Sequence, residues 1–413
     1  MSPSCRAEAL RLPPTFAAFR YHNYRLWFAG QGFSLMGTWM QSVAQGWVVY
    51  QLTGSRFALG LVSFMGTIPT LFLMLPAGVV ADRVPKRYLL LATQTALMLF
   101  AFVLTGLAAT GSLKFWHIAL MAFLSGIANS FDAPARQSLA VELVEDRRDL
   151  MNAIALNSTM FNLARVVGPA IGGIVLASLG PAWCFGINGL SFLAVIFALL
   201  AMNIKDVAYA SSSEPLFRQL ADGLRYIFKN RVAQIIVLIV GVSTLFGFSY
   251  STLMPAYAAD ILKVGERGLG FLNTAVGIGA LCGSLLVASL SRLPRRGWLM
   301  LTGSILFPSA LLVFAFSRSY PLSLLLLVLV GVGFVTQNST GNTILQSVVP
   351  DELRGRVMAV FSFMFFGMTP FGSLLAGSIA QAFGPVAGVA FGAGMNLLFS
   401  LTVLLMVPEC RSV

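Results

Sequence analysis

Charge is scarce in this sequence. Only 10% of its 413 residues are Asp, Glu, Lys or Arg, whereas 57% are hydrophobic. A soluble chain of that length needs far more charge to cover its surface. Histidine is nearly missing: His22 and His117 stand alone near expected helix ends, which leaves no imidazole cluster for a metal or a hydrolytic site. Cys5, Cys184, Cys282 and Cys410 are too scattered for metal spacing or a disulfide framework. No Gly-x-x-x-x-Gly-Lys-Ser/Thr loop is present, so ATP hydrolysis within the chain is not expected. No catalytic residue, cofactor or metal is expected. An intramembrane enzyme would need clustered His or paired carboxylates at membrane depth, and a channel would need charged rings or a filter segment.

What the chain has in abundance is long apolar runs broken by short polar stretches. A bilayer-crossing helix needs roughly 20 such residues. Twelve spans are expected, at 26–50, 57–80, 88–110, 116–131, 154–178, 182–204, 232–257, 269–290, 298–317, 321–338, 357–381 and 385–407. The first, Leu26 to Tyr50, is too long for a signal-peptide core. Lys and Arg divide 21 to 5 between the loops on the N-terminal side and those opposite, with Arg165 alone inside a span. That bias places both termini in the cytoplasm. The net charge of +12 is therefore read as topology, with no nucleic-acid partner.

The chain divides into a cytoplasmic segment 1–25, a six-helix bundle 26–204, a linker 205–231, a second bundle 232–407 and a tail 408–413. In the linker, Ser213 can cap a helix with Leu216, Phe217, Leu220, Leu224, Ile227 and Phe228 on one side. Arg218, Asp222, Arg225 and Lys229 take the other side, the pattern of an interfacial amphipathic helix. The bundles are repeats. Asp82 to Arg87 recurs as Ser291 to Arg296, Asn129-Ser130 as Asn338-Ser339, Gln137-Ser138 as Gln346-Ser347, and Arg147 as Arg356, all at an offset of 209. Parallel repeats about an axis along the membrane normal are a known transporter design, with the site between the halves.

Arg165 is the sharpest anomaly. A charge near the centre of a span costs at least about 2.5–3.5 kcal/mol on insertion scales, so it must face a wet cavity, a partner or a substrate. A structural Arg satisfied by helix carbonyls and amides is the alternative. Gln31, Ser34, Thr38, Gln41 and Gln45 fall on one stripe of the first span and should line an aqueous path or a helix interface. Phe246, Tyr250 and Tyr257 are the aromatic candidates of the seventh span, and Asn129 and Asn162 are further cavity candidates. Asp132, one turn before Arg136, and Asp260 are the candidate proton carriers, because the first two spans hold no carboxylate within them.

Two motifs carry a family resemblance. Gly78, Asp82, Arg83, Lys86 and Arg87 resemble the loop signature of the major facilitator superfamily, with Pro85 where that pattern usually has Gly. There the loop acts as a conformational latch between the halves. Gly168-Pro169-Ala170-Ile171-Gly172-Gly173 resembles the fifth-span signature of its exporter branches, where Pro169 invites a bend. Asn23-Tyr24-Arg25-Leu26, Gly37-Thr38-Trp39-Met40-Gln41, Leu52-Thr53-Gly54-Ser55 and the stretch from Ala155 to Pro169 are similar to the enterobactin-exporter-like group, also called transmembrane secretion effectors. The resemblance implies an all-α major facilitator fold of two pseudo-twofold-related six-helix bundles. It also implies export of a drug or siderophore-like molecule across a bacterial cytoplasmic membrane, often driven by protons. The expected partners are a small-molecule substrate, protons and membrane lipids, for a chain that functions as a monomer. A lipid or lysolipid flippase of the same fold is the alternative.

Overall fold

The computed structural model describes residues 14–144, 146–203, 216–290 and 296–407, and every long element within them is a helix. The first six are α1 (His22–Thr53), α2 (Arg56–Arg83), α3 (Lys86–Ala109), α4 (Phe115–Glu142), α5 (Arg147–Leu179) and α6 (Pro181–Ala201). The linker helix α7 (Leu216–Lys229) precedes a composite span made of α8 (Arg231–Val242), a π-turn, α9 (Tyr250–Ala256) and a second π-turn ending at Ile261. Then come α10 (Gly265–Ser289), α11 (Arg296–Phe316), α12 (Tyr320–Val348), α13 (Asp351–Phe383) and α14 (Pro385–Met406).

Eleven of the described helical segments are long and apolar enough to cross a membrane. α1 is 32 residues long but is not among them, because its amides and hydroxyls dilute its hydropathy. The count of twelve crossings remains our proposal and rests on α1. The fourth span runs to Glu142, past the expected 131. Ser213 and the repeat loop from Ser291 to Arg295 lie outside the described residues.

Local chemistry sets the element ends. Gly54, at φ +58°, terminates α1, and the Ser55 side chain caps α2 by accepting from the Ala58 N–H. Asn230 caps α8 in the same way. The α5–α6 and α13–α14 turns are alike: Gly180 and Gly384 take φ of +87° and +91°, and Pro181 and Pro385 begin the next helix. Glycine suits that left-handed backbone, and proline loses no intrahelical hydrogen bond in a first turn. His117 Nδ1 accepts from the Lys114 N–H at the start of α4, a capping role.

The two halves repeat one packing scheme. α2 packs on α4 as α10 packs on α12, and α3 on α6 as α11 on α14. α1 lies against α5 and α6 as the composite span lies against α13 and α14. The halves meet through α2 with α13 and α5 with α10. At both seams glycines let backbones touch. A Cβ on Gly173 would stand 2.8 Å from Gly270 Cα, and one on Gly60 would stand 2.6 Å from the Ser373 carbonyl oxygen. Small residues serve this purpose where lipid supplies no hydrophobic drive between helices.

Candidate functional site

The α1 stripe forms one wall of a polar cavity. Gln31, Ser34, Thr38, Gln41 and Gln45 all line a space of about 380 Å³, faced by Gln94 of α3, Asn129, Asp132 and Arg136 of α4, and Asn188 of α6. Asn188 Nδ2 donates to Gln41 Oε1 at 2.7 Å. Asp132, only 3% exposed, accepts from Thr93 Oγ1 at 3.0 Å and Gln94 Nε2 at 2.7 Å, with Arg136 Nε at 3.5 Å. A buried carboxylate needs such compensation. The buried Oε1 atoms of Gln31 and Gln94 have no protein partner, leaving two acceptors for water or a ligand.

Trp39, Ser42 and Gln45 also line a second cavity of about 350 Å³, which lies between the halves. Arg165 and Pro169 of α5 contribute to it from one half, and Tyr250 of α9, Asn273 of α10 and Ser373 of α13 from the other. The Arg165 guanidinium carbon sits 5.7 Å from the centre of the Trp39 ring, within cation–π range. The ion pairs found among the described residues do not include Arg165. A third space of about 510 Å³ shares Gln31, Arg136 and Phe161 with the first, adds Asn157 and Asn162, and extends toward the start of α5. Adjacent cavities thus run from the end of the bundle that carries the α1 and α5 N-termini to the middle of the molecule.

The opposite end is closed by a polar seam. Asp260 accepts from Arg56 Nη2 at 2.7 Å and from the Tyr50 hydroxyl at 2.5 Å, joining the two halves. Gln381 Oε1 accepts from the backbone N–H of Arg56 at 2.9 Å and from Ser55 Oγ at 3.2 Å. Deeper in, Ser63 Oγ donates to Ser373 Oγ at 2.9 Å.

The remaining sequence candidates fall in several places. Phe246 packs edge-on to Phe391 of α14, with centroids 6.2 Å apart, and Tyr257 stacks on Phe314 and donates to the Ala315 carbonyl. Within the loop motif, Lys86 pairs with Glu142 and Arg87 Nη2 donates to the Leu200 carbonyl, both inside the first half. Arg83 is exposed, and Gly78 has open space where a side chain would stand. The Asp82 side chain lies outside what the structure describes. α5 runs without interruption through Pro169. Gly168 and Gly172 bring it onto the backbone of α1 at Met36 and Met40, and Gly173 brings it onto α10.

Sequence reasoning passed over Thr93, Gln94 and Asn188, which stand in otherwise apolar spans with no polar period to mark them. It also missed the Tyr50, Arg56 and Gln381 seam, whose members lie at loop edges where polar residues are ordinary.

This is the architecture of a membrane transporter of the major facilitator type, two repeated bundles around a polar cavity. The sequence profile of the transmembrane secretion effector family matches residues 14–412, and the chain belongs to that family. It is 28% identical over 383 residues to the multidrug efflux pump Tap of Mycolicibacterium fortuitum, covering 91% of this chain and 93% of that protein. It is 28% identical over 391 residues to the enterobactin exporter EntS of Shigella boydii, covering 94% and 92% respectively. Among solved structures, the nucleoside transporter NupG superposes with a TM-score of 0.75 at 14% identity, covering 93% of this chain and 99% of that one. That likeness is one of fold.

Proposed function

We propose that this chain is a secondary exporter that moves a small organic molecule, of drug or siderophore-like kind, out of a bacterial cell by alternating access. Both termini lie in the cytoplasm on this reading, which rests on the 21-to-5 bias in Lys and Arg. The carrying observation is the cavity between the halves, where Arg165 presents a guanidinium that forms none of the ion pairs found among the described residues. A desolvated guanidinium there receives an anionic or strongly hydrogen-bonding group, while Trp39, Tyr250 and the α1 amides hold the amphipathic remainder. The seam sealed by Asp260, Gln381 and Ser373 is the outer gate of this state.

Reconstitution into liposomes with an imposed pH gradient tests the reading, using anionic catecholates, macrolides, dyes and a lysolipid. Gradient-dependent movement of at least one organic solute is expected. Movement of the lysolipid alone supports a flippase instead, and no movement across the panel contradicts export.

Proton coupling is assigned to Asp132, which lines the cavity beside Arg136, with Asp260 as the second candidate through its hold on the outer gate. Asp132→Asn should lose gradient-driven transport at least about tenfold, a change of roughly 1.4 kcal/mol or more, yet keep substrate counterflow, which needs no net proton movement. If Asp260→Asn alone behaves this way, the proton belongs to the gate. If both variants retain gradient-driven transport, neither carboxylate carries it.

The gate requires close helix approach. Gly173→Val would place its Cβ 2.8 Å from Gly270 Cα and 2.9 Å from the Glu266 carbonyl oxygen. Overpacking of that kind costs roughly 1–3 kcal/mol, so the outward-sealed state should be depleted and initial rates per inserted transporter should fall about tenfold. A wild-type rate in this variant would contradict the seam as drawn.

A further inference from the structure

The linker helix α7 has two used faces and one that the protein leaves open. Gly223 lies against the Arg356 backbone, and a Cβ there would stand 2.6 Å from its carbonyl oxygen. Ile227 is 4% exposed within the core of the second half, and Tyr226 donates its hydroxyl to the Val348 carbonyl at 3.2 Å. Asp222 accepts from Arg356 Nη1 at 2.8 Å. These contacts pin the helix to α13 and to the end of α12.

The open face carries Ala221, Leu224, Arg225, Phe228 and Lys229, all exposed. Their spacing makes one stripe. Leu224 and Phe228, 42% and 72% exposed, lie one turn apart, and the cations Arg225 and Lys229 follow each of them by one residue. The described part of this stripe holds no carboxylate; Asp222 at its edge accepts from Arg356 and stands 4.0 Å from Arg225 Nη1, a long pairing that leaves the Arg225 side chain 74% exposed. A water-facing linker has no use for an exposed Phe–Leu pair, and an apolar contact alone has no use for paired cations. Together they match a helix lying in a membrane interface. α7 also adjoins α8, which begins a membrane span two residues after it.

We infer that α7 docks on an anionic lipid surface at the mouth of the transporter, inserting Leu224 and Phe228 among acyl chains while Arg225 and Lys229 bind acidic headgroups. The Asp222–Arg356 pair then ties that anchorage to α13, one of the helices that form the seam. This surface is separate from the cavity, and it stands or falls independently of what is exported.

The test uses full-length protein with Cys5, Cys282 and Cys410 replaced by Ser and Ala221→Cys labelled with an environment-sensitive fluorophore; Cys184 is buried. The protein is placed in phosphatidylcholine vesicles with or without phosphatidylglycerol, with brominated acyl chains as quencher. Strong quenching and a blue-shifted emission are expected with phosphatidylglycerol, and weak quenching without it. Arg225→Gln and Lys229→Gln should each weaken the preference for anionic vesicles about fivefold, and Phe228→Ala should reduce quenching in both lipids. Equal quenching with and without phosphatidylglycerol would overturn the anionic preference. An unquenched label in both would overturn docking altogether and leave the stripe to water or to a protein.

Discussion

Arg165→Ala should slow export of an anionic substrate by about ten- to a hundredfold while changing uncharged substrates far less. The estimate follows from a charge-assisted hydrogen bond of roughly 1.5–3 kcal/mol, each 1.4 kcal/mol being about tenfold. The position is expensive to maintain, because a mid-span charge carries an insertion cost. That cost is offset in part by the Trp39 ring at 5.7 Å and by the polar side chains of Gln45, Asn273 and Ser373 that line the cavity between the halves. Arg165→Lys keeps the charge but loses the planar fork and the stacking geometry, so an intermediate rate is expected. Trp39→Leu should weaken substrate binding at the same wall. The check is a set of initial rates for anionic and uncharged members of one chemical series. If Arg165→Ala and Arg165→Lys both keep the wild-type rate and substrate profile, the guanidinium is a structural group and the proposed site is wrong.

Much of this architecture is legible from residue pattern. The amide and hydroxyl stripe of α1 has helical spacing, and all five members line one cavity. The repeat offset of 209 marks two bundles, and the helix packing repeats accordingly. The Gly-Pro turns at 180–181 and 384–385 are repeats as well, but they stand 204 residues apart, so a search at one fixed offset passes over them. The π-turns at Ser243–Phe248 and Tyr257–Ile261 leave no trace in hydropathy, because they change backbone hydrogen bonding and not composition.

The site was less legible than the frame. Asp132 is conspicuous alone, yet its partners Thr93 and Gln94 come from a neighbouring helix about 40 residues earlier. Asp260 reads as a loop-edge charge until folding brings Arg56, 204 residues away, against it. The Gly168 to Gly173 motif shows the same limit. Its small residues predict close packing, but only the fold shows that two of them meet α1 and the third meets α10 across the seam.

Alternating access requires the seam between α2 and α13 to part in every cycle. Ser63 Oγ and Ser373 Oγ stand 2.9 Å apart on those two helices, close enough for a pair of cysteines to bridge with little backbone movement. In a Ser63→Cys/Ser373→Cys transporter with Cys5, Cys282 and Cys410 replaced by Ser, oxidation should therefore freeze the sealed state. Transport is expected to fall to the level of empty vesicles on oxidation and return on reduction, with each single variant indifferent to both treatments. Undiminished transport by a quantitatively cross-linked protein would mean that this seam never opens, and that solute does not pass between the halves.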